Sequence, residues 1–246
     1  MNKFKVIFPY FLECPVKVVA EKANLLGLFG WIFQRGAVIV KKLIKPENII
    51  ISERIIEVPS VYYLLASATK IGDKILEIGH VHSLLSLELA NLGYKVTAID
   101  LREYPFTHKI LKSIKGDFLE YNFKQKFNCV ITVSTIEHFG FNKRYGGGEN
   151  KDKGLDIKAF EKIYNILESG GKLILTVPYA AKERTDIWFK TYTRKSIEGM
   201  LLNFFIISYK RYFVRDNNSW TDITLDKSRD PDFPYDGVVI FLLTKK

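Results

Sequence analysis

Residues 74–100 read KILEIGHVHSLLSLELANLGYKVTAID, and this stretch decides the fold. Lys74–Ile78 is a short apolar run closed by a turn at Gly79, which reads as a strand. Leucines at 84, 85, 87, 89 and 92 then recur at helical spacing, and the pattern stops at Gly93, a residue suited to a helix C-terminus. KVTAI at 95–99 is a second strand, ending on Asp100. Strand, helix and strand with short connections make a parallel crossover unit.

The same alternation continues outward. Upstream, Pro59 opens a helix over residues 60–69, with Val61, Leu64, Leu65 and Ala68 on one face. Downstream, a helix is expected around residues 107–112 and a short strand near 114–116. FNCVITV at 127–133 is a near-continuous apolar run, as expected of a strand covered on both faces. Residues 140–155 (GFNKRYGGGENKDKGL) have no periodicity and read as a long loop. A helix over 157–167, a Gly170-Gly171 turn and the strand KLILTV at 172–177 follow, then a helix over 193–202. Two last strands, 204–214 and 238–244, have no helix between them and should pair antiparallel. The expected fold is α/β: a Rossmann-like, doubly wound, mostly parallel seven-stranded sheet with a C-terminal antiparallel hairpin.

Length and composition bound the function. At 246 residues the chain holds one generous domain, given about 100–200 residues per domain. We divide it into a basic, partly hydrophobic helical extension over 1–58 and the sheet domain over 59–246. Its apolar content of 47% excludes a disordered or fibrous chain. Cys14 and Cys129 alone make neither a disulfide framework nor a Cys-rich zinc site, which points to a reducing, cytoplasmic setting. With 37 Lys+Arg against 27 Asp+Glu, the net charge of +10 suits an anionic partner. No recognition-module signature accompanies that charge, so nucleic acid is not the expected partner.

In open α/β sheets the ligand lies beyond the C-terminal strand ends, so those residues carry the chemistry. Glu77, Ile78, Gly79, His80 and Val81 end the first strand, where a glycine lets the backbone turn sharply beside a ligand. Asp100 and Leu101 follow the second, with a carboxylate placed to accept both ribose hydroxyls. Asp117 and Phe118 follow the third, an acid and an aromatic suited to adenine, and Ser134 follows the fourth. Either aspartate also fits a plain helix cap or turn. A nicotinamide site would want G-x-G-x-x-G, and only Gly79 of that pattern is present.

This ordered set resembles the class I S-adenosylmethionine-dependent methyltransferases over residues 59–246. GYKVTAIDLR, KGDFLEYNF, VSTIEHFG and ILESGGKLILTVPY look most like small bacterial and archaeal members found among surface-polysaccharide enzymes. The family's first motif is an acid followed by Gly-x-Gly-x-Gly. Glu77 and Gly79 match it, whereas Val81 and Ser83 stand at the second and third glycines, and Val81 crowds the path of the methionine part. The resemblance implies S-adenosyl-L-methionine as cofactor and an acceptor-facing role for Glu137 and His138, with His138 as a candidate base. Some relatives hold a divalent metal with Glu-x-x-Glu-His; here Ser134 replaces the first Glu, and no metal is expected. The acceptor implied is a small molecule or glycan, methylated through oxygen, with Lys143, Arg144 and Tyr145 reaching it from the glycine-rich loop. The altered glycine motif leaves a second reading open, a methyltransferase-like binding or scaffold protein without catalysis.

The extension holds the apolar stretch ANLLGLFGWIF at 23–33. A membrane span needs about 20 apolar residues, and Arg35 interrupts the run. The stretch is expected to form a helix that covers the sheet, contacts a second copy, or lies peripherally on a membrane. No signal peptide is read at the N-terminus, because Glu13 ends the apolar run over 6–12.

Overall fold

Parallel pairing of the apolar runs organises the molecule. The computed structural model describes residues 52–141, 154–185, 189–216, 219–224 and 237–246. The chain divides into two units, Met1–Ser52 and Glu53–Lys246, and apart from Ser52 the described residues belong to the second.

In chain order the elements are α1 (Arg54–Ala68), β1 (Lys74–Ile78), α2 (Leu85–Asn91), β2 (Lys95–Asp100), β3 (Leu111–Lys115) and β4 (Phe127–Val133). A 3₁₀ turn (Ile136–His138), α3 (Leu155–Ile166), β5 (Leu167–Tyr179), β6 (Arg184–Thr185) and β7 (Lys190–Thr191) follow. The chain ends with α4 (Arg194–Leu201), β8 (Phe205–Asp216), β9 (Ser219–Asp222) and β10 (Gly237–Lys245). The main sheet runs β3-β2-β1-β4-β5-β10-β8-β9. The first five strands pair parallel, and β10 lies antiparallel between β5 and β8. The expected seven strands and terminal antiparallel pair are present; β9 adds a short eighth at the edge.

Two apolar clusters sandwich the sheet. Val61, Leu64, Leu65, Leu85 and Leu89 of α1 and α2 pack on one face against Ile75, Val96, Cys129 and Ile131. Phe160, Ile163, Ile197 and Leu201 of α3 and α4 pack on the other against Leu76, Val130, Leu173 and Leu175. Alternate residues of each central strand face opposite layers, so the strands are mostly apolar on both faces, with Glu77, Thr97, Thr132 and Thr176 as buried polar exceptions. Thr193 closes the start of α4 with a reciprocal capping box to Ser196.

Three local expectations are corrected. The helix expected from residue 60 starts at Arg54, with Pro59 inside it. Pro59 forfeits only the bond to the Ile55 carbonyl, and the Ile55 side chain is 59% exposed, so the defect sits on the solvent face. No helix forms at 107–112, because Leu111–Lys115 pairs with β2 instead. Six residues after Pro105 are too few to offset helix nucleation, whereas the β2 edge offers a ready ladder. The Gly170-Gly171 turn is absorbed into β5 as a bulge: β4 advances from Phe127 to Cys129 while β5 advances from Leu167 to Lys172, and Gly170 takes φ +68°.

Candidate active site

Parallel strands bring their C-terminal ends to one edge, and a cleft opens there. Its walls are Ile78 and Gly79 at the end of β1, residues 99–102 at and just past the end of β2, 116–119 after β3, and Ser134, Thr135 and 138–140 after β4. Arg54 of α1, His82 and Leu155 complete it. About 830 Å³ of atom-free space lies in the cleft when the open solvent at its mouth is included.

Gly79 adopts φ +82°, and a Cβ there would lie 2.3 Å from Thr135 Oγ1 and 2.4 Å from Thr135 Cγ2. Only a glycine allows the turns after β1 and β4 to approach this closely. The turn after β4 is itself unusual. Ser134 is the one non-glycine at positive φ (43°) among the described residues, a conformation that costs about 1–2 kcal/mol. Its N–H donates to both the carbonyl oxygen and Oγ1 of Thr176, at 3.1 and 3.0 Å. Its hydroxyl donates to Glu57 Oε1 at 2.5 Å.

Asp100, 8% exposed, sits at the cleft wall. Oδ2 accepts the Val81 N–H at 3.2 Å and Arg102 Nη2 at 3.3 Å, while Oδ1 accepts the Arg102 N–H at 3.0 Å and its Nε at 3.1 Å. A carboxylate offers about four lone-pair positions, so Arg102 and Val81 occupy them all. Arg102 Nη1 also lies 2.5 Å from His82 Nε2, which must then be unprotonated to accept.

The expected site residues part company here. Ile78, Gly79, Asp100, Leu101, Asp117, Phe118, Ser134 and His138 line the cleft; Glu77, His80, Val81 and Glu137 do not. Glu77, on β1 itself, is buried and accepts the Ser86 hydroxyl, and burial pushes its carboxyl up to about 7. His80 is fully buried: Nε2 lies 2.9 Å from Ser113 Oγ, and the ring is tilted against Tyr104 with centroids 4.6 Å apart. Burial lowers its pKa and keeps it neutral. Val81, expected to crowd the cofactor's path, is half-buried outside the cleft lining and contributes its N–H to Asp100.

Asp117 spends Oδ1 on the Leu119 N–H at 2.8 Å, a turn cap made at the cleft wall. Phe118 is mostly core, packed between Phe123 and Phe139, with Lys162 Nζ 5.4 Å above its ring. Lys162 secures that turn from α3 by donating to the Leu119 and Tyr121 carbonyls at 2.6 and 2.8 Å. Glu137, expected to face an acceptor, is 2% exposed and turned inward, its Oε1 3.9 Å from His138 Nε2. Burial pushes its carboxyl well above the usual range, and the Glu57 charge pushes the same way. Lys143, Arg144, Tyr145 and the 23–33 segment lie outside the described residues.

Sequence reading missed Arg54, Glu57, Arg102, Thr135 and Thr176. One signal was present for Glu57: it falls at helical spacing with Val61, Leu64 and Leu65, which places a carboxylate on a core face. Among the described residues no group of three or more His, Cys, Asp or Glu is placed to hold a metal, and no helix is long and apolar enough to cross a membrane.

No protein-family model and no curated protein sequence matches the chain. Solved structures do. A 1,6-didemethyltoxoflavin-N1-methyltransferase from Burkholderia thailandensis, with its substrate and S-adenosylhomocysteine, aligns at TM-score 0.57 and 13% identity over 76% of this chain and 77% of that one. The N-methyltransferase NodS of Bradyrhizobium japonicum, with S-adenosylhomocysteine, aligns at 0.52 and 12% over 78% and 87%. Magnesium protoporphyrin IX methyltransferase of Synechocystis, with S-adenosylmethionine, aligns at 0.52 and 15% over 79% and 80%. Strand order and these likenesses together give the chain the fold of the class I S-adenosylmethionine-dependent methyltransferases.

Proposed function

We propose that the cleft binds S-adenosyl-L-methionine and that the protein transfers its methyl group to a small-molecule or glycan acceptor through oxygen. The observation that carries this reading is the Asp100 carboxylate at the end of β2, in one cleft with a glycine that touches the opposite turn. Asp100 is the ribose acceptor in this scheme, Asp117 meets the adenine amino group, and Gly79 gives close backbone approach. Arg54, at the cleft wall beside buried Glu57, suits the methionyl carboxylate. When bound, the sulfonium supplies a methyl group already activated for in-line displacement. The chain's own task is then to align the acceptor, exclude water and take a proton. His138 lines the cleft and is the group placed to remove that proton from a hydroxyl. The glycan class rests on the sequence resemblance, as does contact of Lys143, Arg144 and Tyr145 with an acceptor. In the same scheme the extension read over residues 1–58 makes a copy–copy or membrane-surface contact, and the setting is cytoplasmic.

A second reading, a binding or scaffold protein without catalysis, is favoured by one observation: Arg102 and Val81 fill the acceptor positions of Asp100. Calorimetric titration of S-adenosylmethionine and S-adenosylhomocysteine into wild type and Asp100→Ala decides between them. Micromolar binding lost in Asp100→Ala supports the enzyme. No binding by the wild type refutes it, and undiminished binding by Asp100→Ala moves the pocket elsewhere. Where binding holds, His138→Ala should lower methyl transfer to a hydroxyl acceptor by about 100-fold or more with cofactor affinity kept.

A further inference from the structure

We propose that Glu57 is a positioning residue for the cleft: from α1, ahead of the first strand, its carboxylate fixes the turn after β4 at Ser134 and Thr135. The inference rests on the cofactor-binding reading above. One oxygen, Oε1, collects two hydroxyls from neighbouring strand ends, Ser134 Oγ at 2.5 Å and Thr176 Oγ1 at 2.6 Å. Oε2 faces Arg54 Nη1 at 3.2 Å, and that guanidinium also donates to the Val133 carbonyl at 3.3 Å. Glu57 is fully buried, so water does not substitute for these partners.

The geometry holds the turn from both sides. Ser134 holds a left-handed backbone that serine does not favour, and what opposes its relaxation is the bonding of its N–H to Thr176 and of its hydroxyl to Glu57. Thr135, the next residue, presses against the space a Cβ of Gly79 would fill. The turn therefore cannot move toward β1 without collision, and cannot relax away without breaking the Ser134 bonds. Ser134, Thr135 and Arg54 all line the cleft, so its shape depends on a carboxylate that does not reach it. A plain polar plug in the core would stabilise the fold without setting this one turn.

The test uses the full chain as wild type, Glu57→Leu, Glu57→Gln, Ser134→Ala and the Glu57→Leu/Ser134→Ala double variant. Two readouts are taken: calorimetric affinity for S-adenosylhomocysteine, and peptide-level hydrogen exchange of the unliganded protein. Glu57→Leu should weaken binding about tenfold, while Glu57→Gln, which keeps an acceptor oxygen, stays within about threefold of wild type. In the Ser134→Ala background the further effect of Glu57→Leu should fall below about threefold, because the two act as one unit. Exchange should quicken over residues 133–139 in Glu57→Leu and in Ser134→Ala, with residues 74–78 unchanged. Equal losses in both backgrounds, Gln no better than Leu, or unchanged exchange over 133–139 would overturn the proposal. If Glu57→Leu does not fold, Ser134→Ala breaks the same bond from its other end and decides the exchange arm. If the wild type binds no cofactor, the functional reading fails, and the exchange comparison still judges the positioning role.

Discussion

Replacing Gly79 by alanine separates two costs that the structure assigns to one residue. The first is backbone: φ at Gly79 is +82°, where an L side chain costs about 1–2 kcal/mol. The second is steric, because the new Cβ would meet Thr135 Oγ1 and Cγ2 at 2.3 and 2.4 Å, an overpacking worth about 1–3 kcal/mol. Gly72 provides the control, since it has φ +92° with nothing within 4 Å of a Cβ. Gly72→Ala should therefore cost about 1–2 kcal/mol and Gly79→Ala about 2–5 kcal/mol. Adding Thr135→Ala to Gly79→Ala removes both closest contacts and leaves Thr135 Cβ at 2.9 Å. The pair should then show a favourable coupling of about 1–2 kcal/mol. Urea unfolding followed by circular dichroism of Gly72→Ala, Gly79→Ala, Thr135→Ala and the double variant gives these values from midpoints and slopes. Equal costs for Gly72→Ala and Gly79→Ala, or no recovery with Thr135→Ala, would refute the claim that the two turns are in contact.

Buried Glu77 makes stability depend on pH. Its carboxyl is raised from 4.5 to about 7, so the folded state binds the extra proton, and stability falls as pH rises across that window and levels off above it. The stability of Glu77→Gln relative to wild type should improve by about 3 kcal/mol between pH 4.5 and 8, and a flat difference would show that the carboxyl is not held protonated. Arg102→Met should raise affinity for S-adenosylhomocysteine by freeing acceptor positions on Asp100; a calorimetric loss of affinity would show that the guanidinium contacts the ligand instead. Thr193→Ala removes the acceptor of the bond that the Ser196 N–H donates to Thr193 Oγ1 at 3.1 Å and should cost about 0.5–2 kcal/mol in the same urea assay, with Thr193→Ser near neutral.

Strand identity was legible because it is local. KILEI, KVTAI, FNCVITV and KLILTV carry apolar side chains on both faces, and turn or cap residues bound them. Their order along the chain, with crossover handedness, sets where each strand ends, so Gly79, Asp100, Asp117 and Ser134 were found at one edge from spacing alone. The errors arose where long-range pairing competes with local preference. Residues 111 and 112 fit a helix by local pattern, yet they become strand because β2 has an open edge beside them. His80 and Glu137 sit beside cleft residues in sequence yet do not line the cleft, because residue order does not say which way a side chain in a turn points. Arg102 was not singled out, because its value comes from folding back on a carboxylate two residues away.

What the sequence determined by itself is the architecture and the list of strand-end residues, since periodicity and chain order are local properties. Only the tertiary structure decided how those ends are held. Glu57 meets Ser134 across 77 positions of sequence and Thr176 across 119, and Gly79 after β1 abuts Thr135 after the adjacent β4. Such contacts exist only once the sheet has formed, because no short-range pattern brings a helix carboxylate to two strand ends.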